Sequence, residues 1–84
     1  MPKIEIYTKD FCPYCHAAKE LLDRKGVSYT EYDVTNDPVK IKEMEERSER
    51  RTVPEIFIND KLIGGFDDLN ALEQDGKLDP LLKD

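Results

Sequence analysis

Cys12 and Cys15 are the only cysteines in the 84-residue chain, and Pro13 and Tyr14 stand between them. The pair follows the strand-like Ile4-Glu5-Ile6-Tyr7-Thr8 and opens a helix-like run through Lys25. A spacing of three makes them neighbours on one helix face. A cysteine in a first helical turn lies near the positive end of the helix dipole and near unpaired backbone N–H groups. Both favour the thiolate, which is the nucleophile in disulfide exchange. Pro13 suits the first helical position, where its missing N–H costs nothing. Cys12 is therefore read as the nucleophile at the helix edge. Cys15, a turn further in and more buried, is read as the thiol that resolves its mixed disulfide.

Other uses of the pair fit less well. A structural disulfide across so short a loop constrains little, and cytosolic disulfides are usually catalytic. A structural zinc site wants four ligands, and the chain offers two Cys and the single His16. Cys-x-x-Cys followed by His16 also matches c-type haem attachment, but that requires export, whereas a pair placed after a strand in a βαβ pattern reads as redox-active. His16 is assigned no role, and no metal is expected.

The elements that position the pair can be read in order. Lys3 to Thr8 alternates, with Ile4 and Ile6 on one side. Lys9-Asp10-Phe11 leads into the motif, where Lys9 can add positive potential beside Cys12. Tyr14 faces outward as a flat wall. Ala17, Ala18, Leu21 and Leu22 form an apolar helical stripe, and Gly26 stops that helix. Val27 to Val34 reads as a second strand, completing a βαβ unit with a parallel pair. Asp37 and Pro38 start a second helix. Val39, Ile41 and Met44 are its expected apolar contacts, and Lys40, Lys42, Glu43, Glu45, Glu46 and Arg47 its solvated face. Ser48 to Arg51 ends it. Glu55 to Ile58 is a strand, Asn59-Asp60 a tight turn, and Lys61 to Ile63 the returning strand. Gly64-Gly65 closes the hairpin. Asp67-Asp68 caps a last helix, Leu69 to Asp75, which Gly76 stops; Leu78, Leu81 and Leu82 are expected to dock the tail. The expected fold class is α/β, a four-stranded mixed sheet with helices on both faces in the order β-α-β-α-β-β-α, in one domain over residues 1–84.

The bulk composition limits the partners. Net charge is −6, with 38% hydrophobic and 38% charged residues. Neither nucleic acid nor an anionic membrane is favoured by that sign. No apolar run approaches the roughly 20 residues that span a bilayer. Met1-Pro2-Lys3-Ile4 enters a strand directly, with no room for a signal peptide, so a cytoplasmic location is expected.

Four blocks in this order resemble the glutaredoxins, specifically the small bacterial dithiol type: Tyr7-Thr8-Lys9 before Cys12-Pro13-Tyr14-Cys15, then Arg51-Thr52-Val53-Pro54, then Ile56-Phe57-Ile58-Asn59, then Gly64-Gly65-Phe66-Asp67-Asp68-Leu69. The resemblance implies the thioredoxin fold and a glutathione-dependent thiol–disulfide oxidoreductase serving redox homeostasis. Glutathione is then the co-substrate, proteins bearing glutathione or a disulfide are the partners, and glutathione reductase is an indirect one, with the chain acting as a monomer. Pro54 matches the family's cis-proline, although trans is the commoner state of such a bond. Thr52 and Val53 precede it, and Val53 would bond the cysteinyl part of glutathione by β-addition. Gly65, Phe66, Asp67 and Asp68 match the segment that holds the γ-glutamyl end; one Asp is expected to meet its ammonium and the other to cap the helix. Lys9 and Arg51 match cations near the glycine carboxylate, with Arg50 ranked below them.

Two positions depart from the family pattern. Ser48-Glu49 stands where Ser-Gly is usual, which is expected to lengthen the second helix or shift its exit, and Phe66 stands where Cys or a polar residue is common. A redoxin of similar sequence served by thioredoxin reductase, a glutathione-ligated iron–sulfur carrier and a non-catalytic binding module are the alternatives.

Overall fold

The computed structural model describes residues 2–83; Met1 and Asp84, the ends of the expected 1–84 unit, lie outside the described residues. The elements are β1 (Ile4–Thr8), α1 (Pro13–Arg24), β2 (Thr30–Asp33), α2 (Pro38–Ser48), β3 (Glu55–Ile58), β4 (Lys61–Gly64), α3 (Phe66–Gln74) and α4 (Leu78–Leu82). The sheet order is β2-β1-β3-β4. β1 runs parallel to β2 and antiparallel to β3, and β4 returns antiparallel to β3. The turn between β3 and β4 is Asn59-Asp60, both with positive φ of 52° and 67°, the left-handed pair that a two-residue hairpin needs.

All five residues of β1 are buried, because helices cover both faces of the sheet. Ile4 and Ile6 meet Ile56 and Ile58 on one face, under Ala18, Leu21 and Leu22 of α1, Leu69 of α3, and Leu78 and Leu82 of α4. Each such aliphatic side chain contributes about 1.5–3 kcal/mol on leaving water. On the opposite face Tyr7 and Phe57 pack with Val34 and with Met44 of α2.

Five expectations change. The second strand begins at Thr30, not Val27, because its register on β1 opens at Glu5↔Thr30; Val27 and Tyr29 pack on the core as loop residues. Val39 is 77% exposed, since it lies two residues from Ile41 and so on nearly the opposite side of the helix. The supposedly solvated face of α2 is partly a wall: Arg47 reaches Glu5 and Tyr7, and Glu43 accepts the Tyr7 hydroxyl at 2.8 Å. Glu49 does not lengthen α2; it takes φ 58°, the left-handed C-cap that glycine usually supplies, and its N–H bonds Glu45 O at 2.7 Å. The last segment is two helices, not one, and α3 starts at Phe66 with Gly65 as N-cap, so Asp67 and Asp68 lie inside its first turn.

Candidate active site

The cysteine pair is positioned by the end of β1 and the start of α1. Cys12 is the N-cap of α1, with extended backbone, and Pro13 is the first helical residue. The Cys12 sulfur accepts the Cys15 N–H at 3.2 Å, so it stands where a capping oxygen ordinarily stands. A negative sulfur at this place meets a backbone donor and the positive end of the dipole. Cys15 is 2% exposed and Cys12 is half-buried. The two form a disulfide, with Cα atoms 5.2 Å apart. The outer sulfur is therefore the accessible one, and the inner one can be reached only through it. Ala18, Leu21 and Leu22, buried on the sheet, hold the helix that sets this asymmetry.

On its other side the Cys12 sulfur lies 3.9 Å from the Val53 carbonyl oxygen. The Val53–Pro54 bond is cis. From here a groove of about 300 Å³ runs along the Val53-Pro54 backbone toward the N-terminus of α3. Tyr14, 64% exposed, forms one wall and stacks on Phe66 with ring centroids 6.3 Å apart. Thr52, Gly65, Asp67 and Asp68 complete the lining with Arg50. Gly65 lies against the Pro54 backbone: a Cβ there would make an ordinary contact with the Pro54 carbonyl at 3.4 Å. The first helical hydrogen bond of α3 is Leu69 N–H to Gly65 O at 3.1 Å, which leaves the amides of the preceding turn for other acceptors. One of these places is used by Asp68, whose carboxylate accepts the Gly65 N–H at 3.1 Å. Asp68 thus caps backwards from the third helical position, and the exposed Asp67 beside it is left to the groove.

The structure gathers Tyr14, Thr52, Val53, Pro54, Gly65, Phe66, Asp67 and Asp68 around this groove, with Cys12 at its end. Lys9 is exposed on the far side of Cys12, in a second depression it shares with Phe11 and His16. Arg51 lines neither; its side chain is 87% exposed and its Nε is 3.5 Å from Glu45 Oε1. Arg50 is the cation that lines the groove. His16 pairs with Glu20 at 3.2 Å on the surface.

Sequence reasoning missed Glu55. It is fully buried behind Arg50, and neither of its oxygens has a hydrogen-bond partner among the described residues. Burial pushes its carboxyl above the usual glutamate range; the Ser48 hydroxyl and Arg50 pull it back in part, and Asp68 adds to the rise. An acidic residue directly after Pro54, in an otherwise apolar strand, was the available signal.

A half-buried sulfur at a helix start, with a second sulfur behind it and a peptide-width groove beside it, can exchange disulfides with a bound thiol compound. Comparison with known proteins points the same way. The family model described as Glutaredoxin matches residues 4–63. Glutaredoxin 3 of Escherichia coli is 57% identical over 83 residues, covering 99% of this chain and 100% of the relative. The solution structure of glutaredoxin from Brucella melitensis is 53% identical with a TM-score of 0.84, covering 96% of this chain and 88% of that one. The crystal structure of a buckwheat glutaredoxin–glutathione complex has a TM-score of 0.87 at 31% identity, covering 96% and 76%.

Proposed function

The chain belongs to the glutaredoxin family and is a thiol–disulfide oxidoreductase; from that premise we propose that glutathione occupies the groove beside Cys12 and that glutathione mixed disulfides are the substrate. The observation that carries this reading is the place of the Cys12 sulfur, capped by the Cys15 amide and 3.9 Å from the Val53 carbonyl at the groove's end.

The reaction needs only Cys12 when the substrate is a protein–glutathione mixed disulfide. Cys12 thiolate attacks the glutathione sulfur, the sulfur–sulfur bond to the protein breaks, and the protein thiolate leaves and takes a proton. A second glutathione thiolate then attacks the bound glutathione sulfur, releasing glutathione disulfide and restoring Cys12 thiolate. Stabilising the Cys12 thiolate helps both halves, as nucleophile in the first and as leaving group in the second. When the substrate is a protein disulfide, Cys12 forms the mixed disulfide and Cys15 displaces the protein, leaving the Cys12–Cys15 disulfide for two glutathiones to reduce.

The groove residues divide the tripeptide between them. Backbone groups at Thr52 and Val53 pair with the cysteinyl unit in strand-like fashion, beside cis-Pro54. Tyr14 and Phe66 cover its apolar edge. Asp68 holds the cap through the Gly65 N–H, so the next first-turn amides of α3, at Phe66 and Asp67, take the γ-glutamyl carboxylate, and the Asp67 side chain meets the ammonium. Arg50 is the cation that lines the groove; Lys9 and Arg51, exposed outside it, add only longer-range positive potential for the glycine carboxylate. We take the chain to act as a monomer and as one unit over residues 1–84, in the cytoplasm, where glutathione and its reductase keep the pair reduced; no helix among the described residues is long and apolar enough to cross a membrane.

Turnover of hydroxyethyl–glutathione disulfide, coupled to NADPH and glutathione reductase, tests this reading. Cys12→Ser is expected to lose all turnover. Cys15→Ser is expected to keep this reaction and to lose reduction of protein disulfides. A Cys15→Ser variant inactive on the glutathione substrate, or a wild type that turns over only with thioredoxin reductase, would overturn it.

A further inference from the structure

Behind the groove wall, Arg50 stands between two carboxylates. Its Nη1 is 3.6 Å from Asp68 Oδ2 at the groove lip and 3.9 Å from Glu55 Oε1 in the interior. The two acids differ sharply: the Asp68 side chain is 53% exposed and the Glu55 side chain 0%. The Ser48 hydroxyl, a neutral donor near Glu55, is committed to the Met44 carbonyl at 2.7 Å. Gly64 leaves room for this cluster, because a Cβ there would collide with the Asp68 carboxylate and sit 3.1 Å from Arg50 Nη1. Arg50 is the one cation that lines the groove among the described residues. Its charge is what an anionic ligand would meet there, and Glu55 is placed to cancel it.

We propose that Glu55 is a specificity-determining positioning residue: as a carboxylate it draws the Arg50 guanidinium into the wall and weakens binding of an anionic peptide ligand, and as a neutral group it releases Arg50 to the ligand's carboxylate. This rests on the reading of the groove as a glutathione site. The groups facing Glu55 are Arg50, Ser48 and Thr52 from the α2–β3 segment, Asp68 from α3, and its cross-strand neighbour Tyr7 on β1, whose hydroxyl is held by Glu43 and Arg47. Burial favours the neutral acid, so the release of Arg50 belongs to mildly acidic conditions, and ligand affinity rises as pH falls.

The test is calorimetric binding of S-methylglutathione, which cannot react, to the oxidised protein from about pH 7 to about pH 5, a range that lies between the ordinary carboxyl and ammonium titrations of the ligand. At neutral pH Glu55→Gln is expected to bind about three- to fivefold more tightly than wild type, the scale of a partly exposed charge pair. The gap is expected to close toward the acid end, where wild type converges on the variant. In an Arg50→Gln background the Glu55→Gln change is expected to have no effect on affinity. Equal affinity of wild type and Glu55→Gln across the range, or weaker binding by the variant, overturns the proposal and leaves the glutathione reading standing. If wild type itself fails to bind, both fall. Should the Glu55→Gln variant not fold, wild type and Arg50→Gln decide together: affinity that rises on acidification in wild type but not in Arg50→Gln supports the proposal, and a flat wild-type series, or the same rise in both, overturns it.

Discussion

Two glutamates on the same face of one sheet have opposite fates. Glu5 lies opposite Phe57, and Glu55 lies opposite Tyr7, in the β1–β3 ladder. Both are buried, at 4% and 0% exposure. Glu5 receives both arms of the Arg47 guanidinium, at 3.0 and 3.3 Å, and the Tyr32 hydroxyl at 2.9 Å. Burial raises the Glu5 carboxyl, but Arg47 and Tyr32 more than reverse it, and the group titrates below the usual glutamate range. The same cluster fixes Tyr7, whose hydroxyl burial pushes up to about 12. Among the described residues Glu55 makes no hydrogen bond, and the cation beside it, Arg50, is 3.9 Å away and shared with Asp68. The first cluster satisfies its polar atoms, and its work is to lock α2 onto the sheet. The second leaves a buried acid unsatisfied, a cost that stability alone gives no reason to keep, and it lies against the groove where ligand is to bind.

The contrast can be broken most severely at Arg47. Arg47→Met strands the Glu5 carboxylate in the interior and is expected to cost about 3–5 kcal/mol, read from urea unfolding; a loss near zero would mean that the network carries no stability. The pH dependence of stability sharpens it further, because the two acids have opposite signs. Glu5 is depressed in the folded state, so its contribution is present above the ordinary glutamate pKa and is lost as pH falls through its folded value. Glu5→Gln should therefore hurt most at neutral pH and less in acid. Glu55 is raised, so the protonated folded state is favoured at low pH and the advantage is lost as pH climbs through its folded value. Glu55→Gln should therefore gain on wild type as pH rises toward neutrality. Unfolding curves at several pH values that moved both variants in the same direction would erase the distinction. The smallest effect lies in the backbone that leads to Glu55. Glu49→Gly relieves a left-handed φ of 58° and is expected to add about 0.5–1 kcal/mol after glycine's own entropy loss, seen as a modest rise in the thermal midpoint.

Much of this architecture was legible because it is local. The end of α2 shows where locality stops helping. Glu49 replaces the expected glycine, and a longer helix or a shifted exit is the sequence-based expectation; the helix is not lengthened, and the chain bends at Ser48, because Ser48 is tied to the Met44 carbonyl and receives the Arg50 N–H. That bend decides which arginine enters the groove. Arg50 and Arg51 are the same residue type side by side, and the family resemblance alone favours Arg51. Only the path of the chain into Pro54 turns Arg50 toward Asp68 and Arg51 out toward Glu45. The second strand was overestimated at Val27–Tyr29 for a related reason: β-rich composition cannot say where the partner strand begins.

The sequence by itself determined the reactive pair and its order of use. A Cys-Pro-x-Cys start to a helix places one sulfur at the cap and the next a turn inside through bonds that span three residues. It also determined the strand–helix alternation, since period-two and helical apolar patterns need no knowledge of distant partners. The tertiary structure alone decided which buried acid is paired. Glu5 and Arg47 are 42 residues apart, and Glu55 and Asp68 meet Arg50 from different elements. A carboxylate's charge and reach depend on what stands within a few ångströms of it, and those neighbours exist only once the sheet and helices have closed around it.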